Sequence, residues 1–219
     1  MGEIVFVRHG QASFGTDDYD RLSPLGWQQA RWLGEHLARD GWHFDRAVSG
    51  NMRRHKETAS AMAENLNLPE FDQMPDLNEM HFDQLQTDAV LAGLADPDLM
   101  QLPESYAGEF TKILVGWQEA AFETEHEPFD DFEARVIGAI VDLATHGQSV
   151  LVVSSGGPKA MVMRELLGLS TAKMAEVTLS VLNSSITRLD VREQGLRLAE
   201  FNATPHLAGP DRAHARTYI

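Results

Sequence analysis

Val150-Leu151-Val152-Val153-Ser154-Ser155-Gly156-Gly157-Pro158 decides the fold. Four apolar, mostly β-branched residues in a row read as a strand buried on both faces, the habit of parallel sheets. The serines and glycines break that strand. Gly156-Gly157-Pro158 then opens a helix predicted through Leu167, with Gly168 ending it. The same alternation recurs outward in both directions. Glu3 to Val7 is a short strand broken by Arg8-His9-Gly10. Ser23-Pro24 has the form of an N-cap and first helical residue, and its helix keeps Trp27, Ala30, Leu33 and Leu37 on one face up to Gly41. Phe44 to Ser49 is a second strand, followed by a helix from about Met52 to Asn67. Residues 71–86 carry no clear period and read as irregular. Residues 88–126 are mostly helical, with breaks at Pro97 and Pro103. Residues 130–146 form an amphipathic helix with Phe132, Val136, Ile140 and Leu143 on its apolar face. Ile186 to Val191 and Leu196 to Phe201 close the pattern as two strands, and the tail after Ala203 reads as irregular.

Strands alternating with helices predict an α/β fold: a three-layer α/β/α sandwich with a mostly parallel central sheet. With 219 residues, 43% of them hydrophobic, residues 1–219 are expected to form one domain, and roughly 81–130 a helical lid inserted within it. No apolar run is long enough to span a bilayer. Met1-Gly2-Glu3 lacks the basic start, long apolar stretch and cleavage site of an export signal, which predicts a cytoplasmic protein with no membrane partner. The chain has no cysteine, so disulfides and thiolate metal sites are excluded. A formal net charge of −15 argues against nucleic-acid binding. It also means that a phosphate site must gather its arginines locally, against the global field.

In such a sheet, ligands collect beyond the carboxyl ends of the strands. Three segments fall there: Arg8 to Gly10, Ser49 to Arg54 and Ser154 to Gly157. Arginine offers a planar fork of donors matching phosphate oxygens, a neutral imidazole can attack phosphorus, and Gly10 lets backbone approach a ligand. Taken singly, Arg8 also fits a surface ion pair, His9 a strand end, and Arg53-Arg54 a solvated pair at a helix start. The histidines at 36, 43, 55, 126, 146 and 214 show no paired ligand spacing on a helix face, so no metal and no cofactor are expected. Met161, Met163 and Met174 read as core packing.

Taken together, Arg8-His9-Gly10, Leu22-Ser23-Pro24-Leu25-Gly26 with Gln29-Ala30, and Ser49 with Arg54 and Thr58-Ala59 resemble the histidine phosphatase superfamily, which also contains the cofactor-dependent phosphoglycerate mutases. The similarity continues through Leu77-Asn78-Glu79-Met80-His81-Phe82, Val150 to Gly157, Asn183-Ser184-Ser185-Ile186, Phe201-Asn202 and His206-Leu207, in order along nearly the whole chain. The resemblance implies metal-independent phosphoryl transfer to and from His9. Arg8 and Arg54 would hold the phosphate, and Glu79 would be the proton donor to the leaving oxygen.

The pattern breaks at Ser155, which stands where most relatives carry a second histidine. A serine keeps one neutral donor on a shorter arm, and losing a preorganised charged donor typically costs about a hundred- to a thousandfold in rate. Asp83 replaces a glycine common in relatives, and His81, two residues from Glu79, is a weaker source for the missing imidazole. A serine-hydrolase reading of Ser155 lacks the glycine two residues before it, Val153 standing there instead, and has no evident acid-then-histidine partners. The expected function is a phosphatase acting on a small phosphomonoester, slowed by Ser155. A mutase is less favoured, because the Gln11 to Leu22 loop is short and lacks the tryptophan-asparagine stretch of typical mutases. The alternative is a catalytically impaired relative that binds a phosphorylated ligand or a protein partner. Substrate identity and oligomeric state are not written in the sequence.

Overall fold

Strand β1 (Gly2–Arg8) lies inside a six-stranded sheet, parallel to β4 (Ser149–Ser154) on one side and antiparallel to β5 (Ile186–Arg192) on the other. The computed structural model describes residues 2–13, 15 and 18–218. Beyond β4 come β2 (Arg46–Ser49) and β3 (Phe71–Gln73), both parallel. Beyond β5 comes β6 (Gly195–Ala203), giving the order β3-β2-β4-β1-β5-β6. This is the expected α/β/α sandwich, a mixed sheet with helices on both sides. β1 to β4 run parallel, β5 runs against them, and β6 turns back antiparallel to β5.

The chain divides into two compact units. The first comprises Met1–Asn78, Ala139–Ser155 and Val181–Ile219 and holds the whole sheet. On one face Val5, Val7, Ala47, Leu151 and Val153 pack with Ala30, Leu33 and Leu37 of α1 (Pro24–Arg39) and Ala59 and Met62 of α2 (Arg53–Ala63). The other face, with Ile4, Phe6, Val48, Val150 and Val152, is equally dry. Helix α1 starts as the sequence predicts. Ser23 has extended backbone, its Oγ accepts from the Gly26 N–H at 3.0 Å, and Pro24 follows at the first helical position.

The second unit comprises Glu79–Gly138 and Gly156–Ser180. It contains α3 (Phe82–Leu91), α4 (Pro103–Gln118), most of α5 (Phe129–Leu143), α6 (Gly156–Leu167) and α7 (Thr171–Ser180). Helix α4 packs on α7, and α7 on α6. Trp117 sets its edge against Phe129 with ring centroids 5.1 Å apart and donates its indole N–H to the Glu127 carbonyl at 3.0 Å. The 81–130 stretch read as a helical insertion lies within this unit, which also takes in α6 and α7.

Three elements differ from the sequence reading. Residues 71–86 are not wholly irregular: they contain β3 and the start of α3. Pro103 starts α4 rather than only breaking a helix, as proline at a first turn can. Helix α7 buries only Thr171, Met174 and Ala175, a face too narrow to stand out as a period.

Candidate active site

Within the first unit the sheet register brings together Arg8 to Gly10, Ser49 to Arg54 and Ser154-Ser155. Arg8 lies opposite Ser154, and Ser49 opposite Val153, so β1, β4 and β2 end level with one another. The chain leaving each strand stays tied to its neighbour. His9 N–H donates to the Ser154 carbonyl at 2.8 Å, and Gly50 N–H to the Val153 carbonyl at 3.0 Å. Gly10 N–H donates to Thr58 Oγ1 at 3.0 Å, and that hydroxyl donates to the Arg54 carbonyl at 2.7 Å, locking the loop after β1 to α2. Gly10 has no room for a side chain, since a Cβ would lie 2.3 Å from the Gly26 carbonyl oxygen at the start of α1.

His9 is buried, and its tautomer follows from its partners. Nδ1 lies 2.7 Å from the Gly10 carbonyl, which can only accept, so Nδ1 carries the proton. Nε2 lies 3.2 Å from Nε of Arg54, which can only donate, so Nε2 presents its lone pair. Burial, followed by the charges of Arg54 and Arg8, holds the ring well below the usual histidine range. The imidazole is therefore neutral and aimed.

Arg54 is the hub. Nε reaches His9, Nη1 donates to Asp20 Oδ1 at 2.6 Å, and Nη2 points to Ser155 Oγ at 3.5 Å. The Tyr19 ring lies under the guanidinium, 5.6 Å from its centroid. Arg8 donates through Nη1 to the Val181 carbonyl, which anchors its side chain while its charge acts on His9. His9, Arg54 and Ser155 thus form one cluster, which Arg8 joins through its charge on His9.

Sequence reasoning missed His55. Its ring is fully buried, 5.7 Å from the His9 ring between centroids, and its Nε2 lies 2.7 Å from Ser155 Oγ. Burial and the Arg54 charge hold it well below the histidine range. A signal was present: His55, Thr58, Ala59 and Met62 follow the i, i+3, i+4, i+7 rule of a buried helix face, and all four are buried. Asp20 was missed as a partner of Arg54. Behind His9, Ser184 in left-handed backbone (φ 57°) donates its N–H to the His9 carbonyl at 3.1 Å, and its hydroxyl meets His206 Nε2 at 2.8 Å.

Glu79 belongs to the second unit. Its carboxylate accepts from Gly157 N–H at 3.0 Å and from Met80 N–H at 3.1 Å, two bonds that fix its direction. Gly157 is glycine for this reason, as a Cβ there would lie 2.0 Å from Glu79 Oε1. His81 is exposed, and its ring pairs with His126 at 5.7 Å. The imidazole found on Ser155 is that of His55. Asp83 is exposed in the first turn of α3. The Gln11 to Leu22 loop includes residues 14, 16 and 17, which lie outside the described residues.

Comparison with known proteins identifies the family. Over 94% of its length the chain is 28% identical to a metal-independent phosphoserine phosphatase of Arabidopsis thaliana, covering 83% of that protein. Over 74% of its length it is 24% identical to a broad-specificity phosphatase of Saccharomyces cerevisiae, covering 69% of it. A phosphoserine phosphatase structure from Entamoeba histolytica superposes with a TM-score of 0.67 at 20% identity, over 94% of this chain and all of that one. Residues 4–204 match the sequence profile of the histidine phosphatase superfamily (branch 1), and the chain belongs to that family.

Proposed function

We propose that this protein is a metal-independent phosphatase acting on a small phosphomonoester in the cytoplasm, with His9 as nucleophile. The observation that carries this is the pinned ring. His9 Nδ1–H is held by the Gly10 carbonyl, and the Nε2 lone pair stands beside the Arg54 guanidinium. In the first step Nε2 attacks phosphorus and the P–O ester bond breaks. The leaving oxygen takes a proton from Glu79, and Arg8 and Arg54 offset the charge on the phosphoryl oxygens. In the second step water attacks the phosphohistidine, the P–N bond breaks, and the water proton returns to Glu79. Inorganic phosphate leaves.

Phosphoserine heads the panel of substrates to be assayed, because relatives carry that activity in their names. The test is a rapid-quench experiment without added metal. A phosphoryl group that survives base and is lost in acid should appear on the wild type and be absent from His9→Ala. A wild type that turns over phosphomonoesters with no such adduct would overturn the His9 route. A second reading, a binding protein of low turnover, has one observation in its favour: Asp20 already occupies part of the Arg54 fork. Tight binding of phosphomonoesters with neither adduct nor phosphate release would select it.

A further inference from the structure

The second fully buried imidazole of the site, that of His55, has its own task. Among the described residues Ser155 Oγ is met by two groups, Arg54 Nη2 at 3.5 Å and His55 Nε2 at 2.7 Å. The arginine can only donate. The direction of the His55 bond follows from the far side of its ring, where Nδ1 is buried with no hydrogen-bond partner among the described residues. Were Ser155 to donate to Nε2, the ring proton would sit on Nδ1, leaving a buried N–H with nothing to receive it. Buried orphan N–H groups are rarer than under-satisfied acceptors. The ring proton therefore belongs on Nε2, donated to Ser155 Oγ. With both lone pairs of the hydroxyl addressed, its own proton is free to donate elsewhere.

The ring is also built into its place. A Cβ on Gly50 would lie 2.2 Å from His55 Nδ1, so the loop after β2 has room for this imidazole only because Gly50 lacks a side chain. Arg54 ties the outcome to the reacting centre, because two nitrogens of one rigid plane touch His9 Nε2 and Ser155 Oγ. The hydroxyl proton and the nucleophilic lone pair are thus registered to the same guanidinium.

We infer that His55 is a positioning residue: by donating to Ser155 Oγ it turns the Ser155 hydroxyl into a dedicated donor to an oxygen of the phosphoryl group carried to and from His9. The inference rests on the phosphatase reading and adds a relay to it, His55 Nε2–H to Ser155 Oγ–H to phosphoryl oxygen. This relay supplies a neutral donor where a serine alone would be free to rotate.

The test measures kcat and KM for p-nitrophenyl phosphate in the wild type and in S155A, H55A, H55Q, H55N and H55A/S155A, alongside phosphohistidine trapping in the wild type and thermal midpoints throughout. S155A should lower kcat about a hundredfold, the size of one lost donor to the transition state, with KM little changed. H55A should fall in the same direction, and the double variant should fall no further than S155A, because the two groups act as one. The glutamine side chain in H55Q can place an amide N–H near the Nε2 position, so that variant should stay close to wild type. H55N, whose amide reaches less far, should behave like H55A. The H55Q and H55N pair keeps the test decisive if H55A folds poorly. Losses that multiply in the double variant, or an H55Q as slow as H55N, would overturn the relay while the phosphohistidine still forms. Absence of the phosphohistidine from the wild type would overturn the underlying reading, and the relay with it.

Discussion

Asp20 Oδ1 accepts from Arg54 Nη1 at 2.6 Å, while its other oxygen accepts from the Arg53 backbone N–H at 2.8 Å. One carboxylate therefore caps the start of α2 and also neutralises the guanidinium that faces His9. A phosphate dianion arriving at Arg54 meets a group already holding an anion. Asp20→Asn keeps the shape and an acceptor for the cap but removes the charge. It should lower KM for p-nitrophenyl phosphate and the inhibition constant of inorganic phosphate by roughly fivefold, the size expected of about 1 kcal/mol for a half-exposed pair. Inhibition assays at low salt read this directly. A weaker grip on phosphate in D20N would mean that Asp20 orients Arg54 instead of competing for it.

The His9 ring should show no ordinary histidine titration. Burial, Arg54 and Arg8 depress its protonation, and the Gly10 carbonyl holds Nδ1–H. Long-range nitrogen–proton spectra should report the Nδ1–H tautomer, unchanged from about pH 8 down to about pH 5, where an exposed histidine would be almost wholly protonated. The proposed nucleophile thus keeps its lone pair throughout that range. A His9 signal titrating near 6.5 would refute this description of the site.

β1 and β4 were legible because each holds a run of mostly β-branched apolar residues ended by a glycine turn, β2 because Ala47 and Val48 lead into Gly50, and the family pattern then named Arg8, His9, Arg54 and Ser155. Register was not legible, since it depends on which strands become neighbours. That pairing sets Ser154 beside Arg8 and Val153 beside Ser49. His55 was hidden for a related reason. It sits in Arg53-Arg54-His55-Lys56, which looks like a solvated basic turn, and its partner Ser155 is a hundred residues away. Only the shared face with Thr58, Ala59 and Met62 marked it as buried. Strand β3 escaped because three residues at a sheet edge, two of them exposed, leave no periodic trace.

Restoring a histidine at position 155 looks, from sequence, like a route to faster turnover, but the structure opposes it. Ser155 and His55 are both fully buried and already 2.7 Å apart, so an imidazole at that position has nowhere to go while His55 remains. Ser155→His alone should lose about 1–3 kcal/mol of stability from overpacking and gain no activity. Truncating His55 vacates a ring-sized space beside Ser155, so H55A/S155H should recover stability relative to S155H and exceed it in kcat. Thermal midpoints and turnover of the two variants, measured side by side, decide this. An active, stable S155H single variant would contradict the packing.

His206 gives the fold a measurable response to acid. Its ring is buried against Ser184, and burial, with His36 and Arg212 nearby, pushes its pKa down to about 3. The unfolded chain protonates the same ring near 6.5. Between these values the unfolded state holds a proton that the folded state refuses, so stability contributed by the neutral ring is complete above about pH 6.5 and drains away as pH falls toward 3. The slope from one such group approaches about 1.4 kcal/mol per pH unit. His9 and His55, also held well below the usual range, add to it in the same direction. His206→Gln, which keeps a polar group for Ser184 but cannot titrate, should therefore take up about one proton fewer on unfolding near pH 5. Its thermal midpoint should fall less steeply between about pH 7 and pH 5, even if it starts lower. Calorimetry across that range tests the point, and parallel slopes for the variant and the wild type would show that His206 is protonated in the folded protein after all.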